Sequence, residues 1–141
     1  MEIINQYHYV IAAFIARVFL GFLFFFQGYD AVFKVKVGNV IETFENEFSK
    51  KGIPKFLTVF AAWFTSYTEL IGGALLIVGL FQYAALYLLG INLLIVAIGF
   101  GINMAMWDLR HVFPRLTLIL FLLIIPQRLN IISLDKLFIN L

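Results

Sequence analysis

The run from Phe56 to Leu80 reads FLTVFAAWFTSYTELIGGALLIVGL, and a single charge, Glu69, interrupts it. A membrane-spanning helix needs about 20 mostly apolar residues. This run meets that length and cannot be a soluble strand or surface helix. A second run, Tyr9–Phe26, is equally apolar and also holds one charge, Arg17. A charge at the bilayer centre costs about 2.5–3.5 kcal/mol on insertion scales, so it needs a partner or a role. These two segments set the fold class, and their two charges set the search for function.

The rest of the chain agrees. It has 141 residues, 63% hydrophobic and 13% charged, whereas a soluble domain is about 45–50% apolar and about 25% charged. The mean hydropathy is +1.00. The composition is that of an integral membrane protein, not of a soluble domain with one anchor. A formal charge of +2 and the lack of a basic patch argue against nucleic acid as a partner. With no cysteine, the chain has no disulfide, thiolate metal site or iron–sulfur ligand of its own. The first apolar segment has no Lys or Arg before Arg17 and no small-residue cleavage pattern after it. It is expected to be a retained helix rather than a signal peptide.

Four apolar segments are expected to be helices: 9–28, 56–80, 83–104 and 112–125. The fourth is short for a span and would need to tilt little, thin the bilayer or extend through its flanks. Pro114 suits its first turn and Pro126 its end. The link near Gly79–Tyr83 is tight, so the second and third segments should form an antiparallel hairpin. Only the link 30–55 is long. In it Ile41, Phe44 and Phe48 recur at helical spacing opposite Glu42, Glu45, Glu47 and Lys50. Residues 40–51 are therefore expected to form an amphipathic interfacial helix. A capping box at Asn39 and Glu42 would start it, and Gly52 with Pro54 would stop it. The tail after Pro126 is apolar, with Ser133 as a candidate N-cap, and should lie back on the bundle or the interface. The expected fold is one all-α domain over 1–141: a four-transmembrane-helix bundle with an interfacial helix between the first two spans.

Lys34, Lys36, Lys50, Lys51, Lys55, Arg110 and Arg115 fall on one side of that arrangement, and Arg128 and Lys136 on the other. By the positive-inside rule the link 30–55 is cytoplasmic and the termini are outside, in a prokaryotic cytoplasmic (inner) membrane.

At 1.5 Å per residue, Arg17, Glu69 and Asn92 lie roughly 12, 18 and 16 Å from the face bearing the termini. Three polar side chains on three segments thus share one layer. Arg17 and Glu69 are expected to pair directly there, with Asn92 beside them. Small residues on the same faces, Gly21, Gly72 and Gly73, permit close approach or leave room for a ligand. Phe24 and Tyr67 would border that space. The layer can be read as a structural ion pair or as a head-group site, with Arg17 donating to a carbonyl oxygen and Glu69 exchanging a proton. A ligand is expected to enter from the lipid. His8 and His111 lie at opposite faces and cannot share a metal, so no metal site is expected. Gln27, Asp30, Asp108 and Arg110 read as helix-end residues or as a second polar cluster. Tyr7, Tyr9 and Trp107 read as an aromatic belt.

These residues also carry a resemblance. Arg17 with Gly21 and Gly28, Gly52-Ile53-Pro54, and above all Glu69-Leu70-Ile71-Gly72-Gly73 resemble the patterns of the DoxX family of small four-helix membrane proteins. The Lys that the family often places three residues after the first-helix glycine is Ala31 here. The resemblance implies a link to quinones or redox partners, since the family's namesake is associated with thiosulfate:quinone oxidoreductase and other members with redox enzymes or membrane-protein assembly. No covalent cofactor is expected, and quinone is the implied ligand. Three functions compete: a redox-associated accessory subunit, a non-catalytic scaffold and a small transporter. Any catalysis would belong to a quinone-linked oxidoreductase complex rather than to this chain alone. The candidate partners are the bilayer, a redox-enzyme or other membrane-protein partner, and a second copy of the chain.

Overall fold

The computed structural model describes residues 2–103, 110, 112–126, 129 and 131–139, with the backbone only at 2–6 and 139. Among the described residues six α-helices follow in order: α1 Glu2–Tyr29, α2 Val37–Phe48, α3 Lys55–Val78, α4 Gln82–Asn103, α5 Phe113–Ile124 and α6 Leu134–Ile139. There is no strand among the described residues. Trp107, Asp108, His111 and Arg128 lie outside the described residues.

Three helical stretches, Tyr7–Lys34, Lys55–Val78 and Gln82–Asn103, are long and apolar enough to cross a membrane, while α5 is shorter. Their outward faces expose Phe19, Phe60, Ile71, Leu94 and Ile98. Water would penalise such a surface and lipid does not. The chain is an all-α polytopic integral membrane protein.

Helix α3 is the centre of the packing, and α1 lies most extensively along it. Glycines make that seam possible. A Cβ on Gly73 would lie 2.3 Å from the backbone nitrogen of Phe25, and one on Gly28 would lie 2.2 Å from that of Leu70. Backbone cannot swing aside as a side chain can, so only glycine fits. Leu20, Phe24, Leu76, Leu86, Leu89, Ile119 and Leu122 fill the core between α1, α3, α4 and α5.

Gly79 closes α3 in the left-handed conformation (φ 72°), and its N–H and that of Leu80 both bond the Leu75 carbonyl. This tight turn makes α3 and α4 neighbours, as their sequence spacing requires. Phe81 also has a positive φ, 48°. The Asp135 carboxylate holds it by accepting from the Phe81 and Gln82 N–H groups at 2.8 and 3.0 Å. The Asp135 N–H in turn donates to the Gly79 carbonyl. The tail thus lies back on the α3–α4 turn, and the Asp135 carboxylate caps the start of α4.

At the other end, α1 runs on as a π-helical stretch, Asp30–Lys34, tied by an Asp30–Lys34 ion pair at 2.7 Å. Helix α2 then starts three residues earlier than the pattern predicts. Asn39 does not cap it: the N-cap position is Lys36, with φ 68° and no side-chain bond. The Asn39 amide instead donates back to the Val35 carbonyl at 2.7 Å. The helix end follows expectation, through a short 3-10 turn, Ser49–Lys51, to Gly52. Helix α2 packs on α3 and buries Val37 and Phe48.

Candidate functional site

Arg17 and Glu69 do not pair. Arg17 is 1% exposed, and its guanidinium donates to the carbonyls of Leu76, at 3.0 Å, and Ile132. Leu76 lies roughly 10 Å along α3 from Glu69. The reason is directional. Side chains on a helix lean toward its N-terminus, so Arg17 leans away from the Glu69 layer. It meets there the last turn of α3, whose carbonyls have no intrahelical partner and form the negative end of the helix dipole. Gly79 leaves it room, since a Cβ there would lie 2.0 Å from the Arg17 Nη1. Arg17 therefore joins α1, the end of α3 and the tail, and the ring of Phe14 lies 5.6 Å from it.

Glu69 has other partners. It is 3% exposed, and its Oε1 accepts from the Asn92 Nδ2 at 3.0 Å and from the Gln27 Nε2 at 3.1 Å. The Arg115 guanidinium donates to the Gln27 Oε1. The same directional rule that takes Arg17 away brings Gln27 in, because its side chain leans back from the far end of α1. The Gln27 amide has one orientation here: arginine only donates, so the amide oxygen must face Arg115 and the nitrogen must face Glu69. Four helices, α1, α3, α4 and α5, thus meet at one carboxylate. Glu69 Oε2 makes no hydrogen bond among the described residues.

A cavity of about 670 Å³ leads to that carboxylate. Its inner end is formed by Gln27, Thr65, Ser66 and Glu69. Its walls are the first half of α3 and the last two turns of α4, and Phe44 and Phe48 of α2 cover it. From Pro54 to Glu69 the slot runs roughly 22 Å along α3. Leu57, Phe60, Ile98 and Phe100 line it and are also exposed on outward faces, so it opens sideways toward lipid. The roof is tied at its edge. Asn103 donates to Glu47 at 3.0 Å, Lys51 donates to the Ile102 carbonyl, and Lys55 pairs with Glu45 at 3.1 Å. A largely apolar pocket of this size with a few convergent polar groups is the usual form of a small-ligand site.

The residues expected to line a site fare unequally. Glu69 and Asn92 come together, and Glu69 reaches the cavity. Gly21, Phe24, Tyr67, Gly72 and Gly73 do not line it. Gly21 and Gly73 are used up by the approach of α1 to α3, and Gly72 by Leu89 of α4. Phe24 is fully buried in the core, and Tyr67 stacks on Trp63 at 5.0 Å. Gln27 and Arg115 are the residues the sequence reading missed as partners of Glu69. The signal was present: two polar residues near helix ends, on elements that must pack beside α3. Among the described residues no group of three or more His, Cys, Asp or Glu side chains could hold a metal.

Two comparisons with known proteins return nothing: no curated protein and no solved structure matches. The third does. Residues 12–104 match the DoxX family. That range holds Arg17, Gln27, Glu69 and Asn92 and every wall of the cavity, and it covers more than half of the sequence; this membrane protein belongs to the DoxX family.

Proposed function

We propose that this protein binds an amphipathic ligand of the quinone class, without a covalent bond, and acts as an accessory subunit of a membrane redox system. The ligand's ring sits at Gln27, Ser66 and Glu69, and its tail follows the apolar slot toward Leu57 and Ile98. One observation carries the reading: a cavity long enough for a ring and tail ends at a buried carboxylate with one oxygen that makes no hydrogen bond among the described residues. Asn92 holds that carboxylate from behind. Arg17 has no part in the site on this reading.

The test is saturable binding of a decyl-tailed quinone and its quinol by the full chain in lipid nanodiscs, with empty nanodiscs subtracted. Binding of at least one form is expected, together with its loss on Ala61→Trp, which fills the slot without touching the polar groups. Failure of both forms to saturate, or binding unchanged by Ala61→Trp, would overturn the reading. The scaffold reading would then stand. It has an observation in its favour, since Arg17 holds the backbone carbonyls of Leu76 and Ile132 together.

We also propose four spans, α1, α3, α4 and α5, with the Lys-rich α1–α3 connection in the cytoplasm of a prokaryotic cell. The chain has no cysteine, so a single one at Lys51 reports cleanly. Protection of that position from an impermeant thiol reagent in intact cells is expected, and labelling would reverse the orientation.

A further inference from the structure

The direction of each hydrogen bond around the cavity restricts what can bind there. Ser66 and Thr65 both donate to the Ala62 carbonyl, at 2.7 and 3.3 Å. Thr58 donates to the Lys55 carbonyl at 2.7 Å. Each hydroxyl has one proton and two lone pairs, so all three are left with acceptor capacity only. As a carboxylate, Glu69 adds a further acceptor through Oε2. Among the described residues, the donor remaining at the inner end is the second N–H of Gln27, because its first meets Glu69. The cationic donor expected for a carbonyl head group, Arg17, lies at the other end of α3.

From this pattern we infer that the cavity selects a head group that donates hydrogen bonds, a neutral phenolic or alcoholic hydroxyl on an apolar tail, over the carbonyl head of a quinone. The inference rests on the ligand-binding reading above and adds the chemical form. A carbonyl placed against Ser66 and Glu69 would set acceptor against acceptor. A hydroxyl donates to Glu69 Oε2 or Ser66 Oγ and can accept from Gln27 with its own lone pair. An ammonium head also donates, but the Glu69 carboxylate already has a cation nearby, Arg115, bridged to it by Gln27. The neutral donor therefore fits better.

The test uses probes that differ only in the donor. 4-Dodecylphenol and its methyl ether share ring and tail, and neither needs a redox control. Binding to the full chain in nanodiscs is compared by equilibrium partition of labelled probe. The phenol is expected to bind about tenfold tighter or more, the worth of a hydrogen bond to a charged group. Ser66→Ala should reduce that ratio a few-fold. Glu69→Gln supplies an amide donor in place of an acceptor and should bring the ratio close to one. Dodecylammonium serves as the charged arm and should bind more weakly than the phenol. Equal binding of phenol and ether, tighter binding of the ether, or tighter binding of the ammonium would overturn this inference and leave the ligand-binding reading in place. Binding of none of the probes would remove both.

Discussion

Arg17 and Glu69 are comparably buried, at 1% and 3% exposure, yet their surroundings are opposite in kind. The Arg17 end is tied to backbone, although Arg17 also borders a shallow groove of about 580 Å³ with Phe14, Ile77 and Leu137. Its guanidinium bonds the carbonyls of Leu76 and Ile132, the tail lies over the α3–α4 turn, and Asp135 caps the start of α4. The Glu69 end is open. There α3 and α4 line a cavity under α2, and one carboxylate oxygen makes no hydrogen bond among the described residues. A buried charge that meets backbone carbonyls serves the fold. A buried charge beside a cavity has capacity left for something else. Burial alone would have assigned both residues the same role.

The largest effect should come from the seam that both ends share. Gly73→Leu forces a side chain against the backbone of Phe25. Overpacking usually costs about 1–3 kcal/mol, and this contact cannot relax by a rotamer change. Loss of folded protein in size-exclusion chromatography is expected. A well-folded variant would mean that α1 and α3 can separate, and the distinction between the two ends would lose its basis.

Arg17→Met comes next. It leaves two carbonyls without their donor, and a loss of about 2–3 kcal/mol in unfolding stability is expected. Protease cleavage near Ile132 should rise while ligand binding changes little. Weakened ligand binding with unchanged stability would exchange the roles of the two ends.

Glu69→Gln should be milder for the fold. The side-chain oxygen can still accept from Asn92 and Gln27, so a loss of about 1 kcal/mol or less is expected in thermal unfolding. The probe preference should collapse in the same variant. A stability loss larger than that of Arg17→Met would make Glu69 the structural charge instead.

The smallest effect tests the roof. Lys36 holds φ 68° and ψ 135° at the start of α2. Such a conformation costs a non-glycine residue about 1–3 kcal/mol, and glycine recovers part of it against its own entropy cost. Lys36→Gly should stabilise the protein by about 0.5–1 kcal/mol. Destabilisation would show that the Lys36 side chain, rather than the contacts of Phe44 and Phe48, keeps the cavity covered.

The sequence by itself determined the class of this protein and the membrane-crossing character of α1, α3 and α4, because hydrocarbon sets a length and composition that few sequences meet. It also determined the tight α3–α4 turn at Gly79, the helix stop at Gly52 and the meeting of Glu69 with Asn92, since depth along a helix follows from residue count. The residue patterns at Gly52-Ile53-Pro54 and Glu69 to Gly73 made the family legible as well. The partner of each charge was a tertiary decision. Counting residues places Arg17 and Glu69 within a few ångströms in depth, but side chains lean toward the N-terminus of their own helix. In antiparallel neighbours that lean separates Arg17 from Glu69 and brings Gln27 in its place. The unbonded carbonyls at the end of α3 then offered Arg17 a nearer partner than any carboxylate. The cavity was equally invisible, because α2, α3 and α4 enclose it only once packed, and the glycines expected to make room were taken by helix contacts.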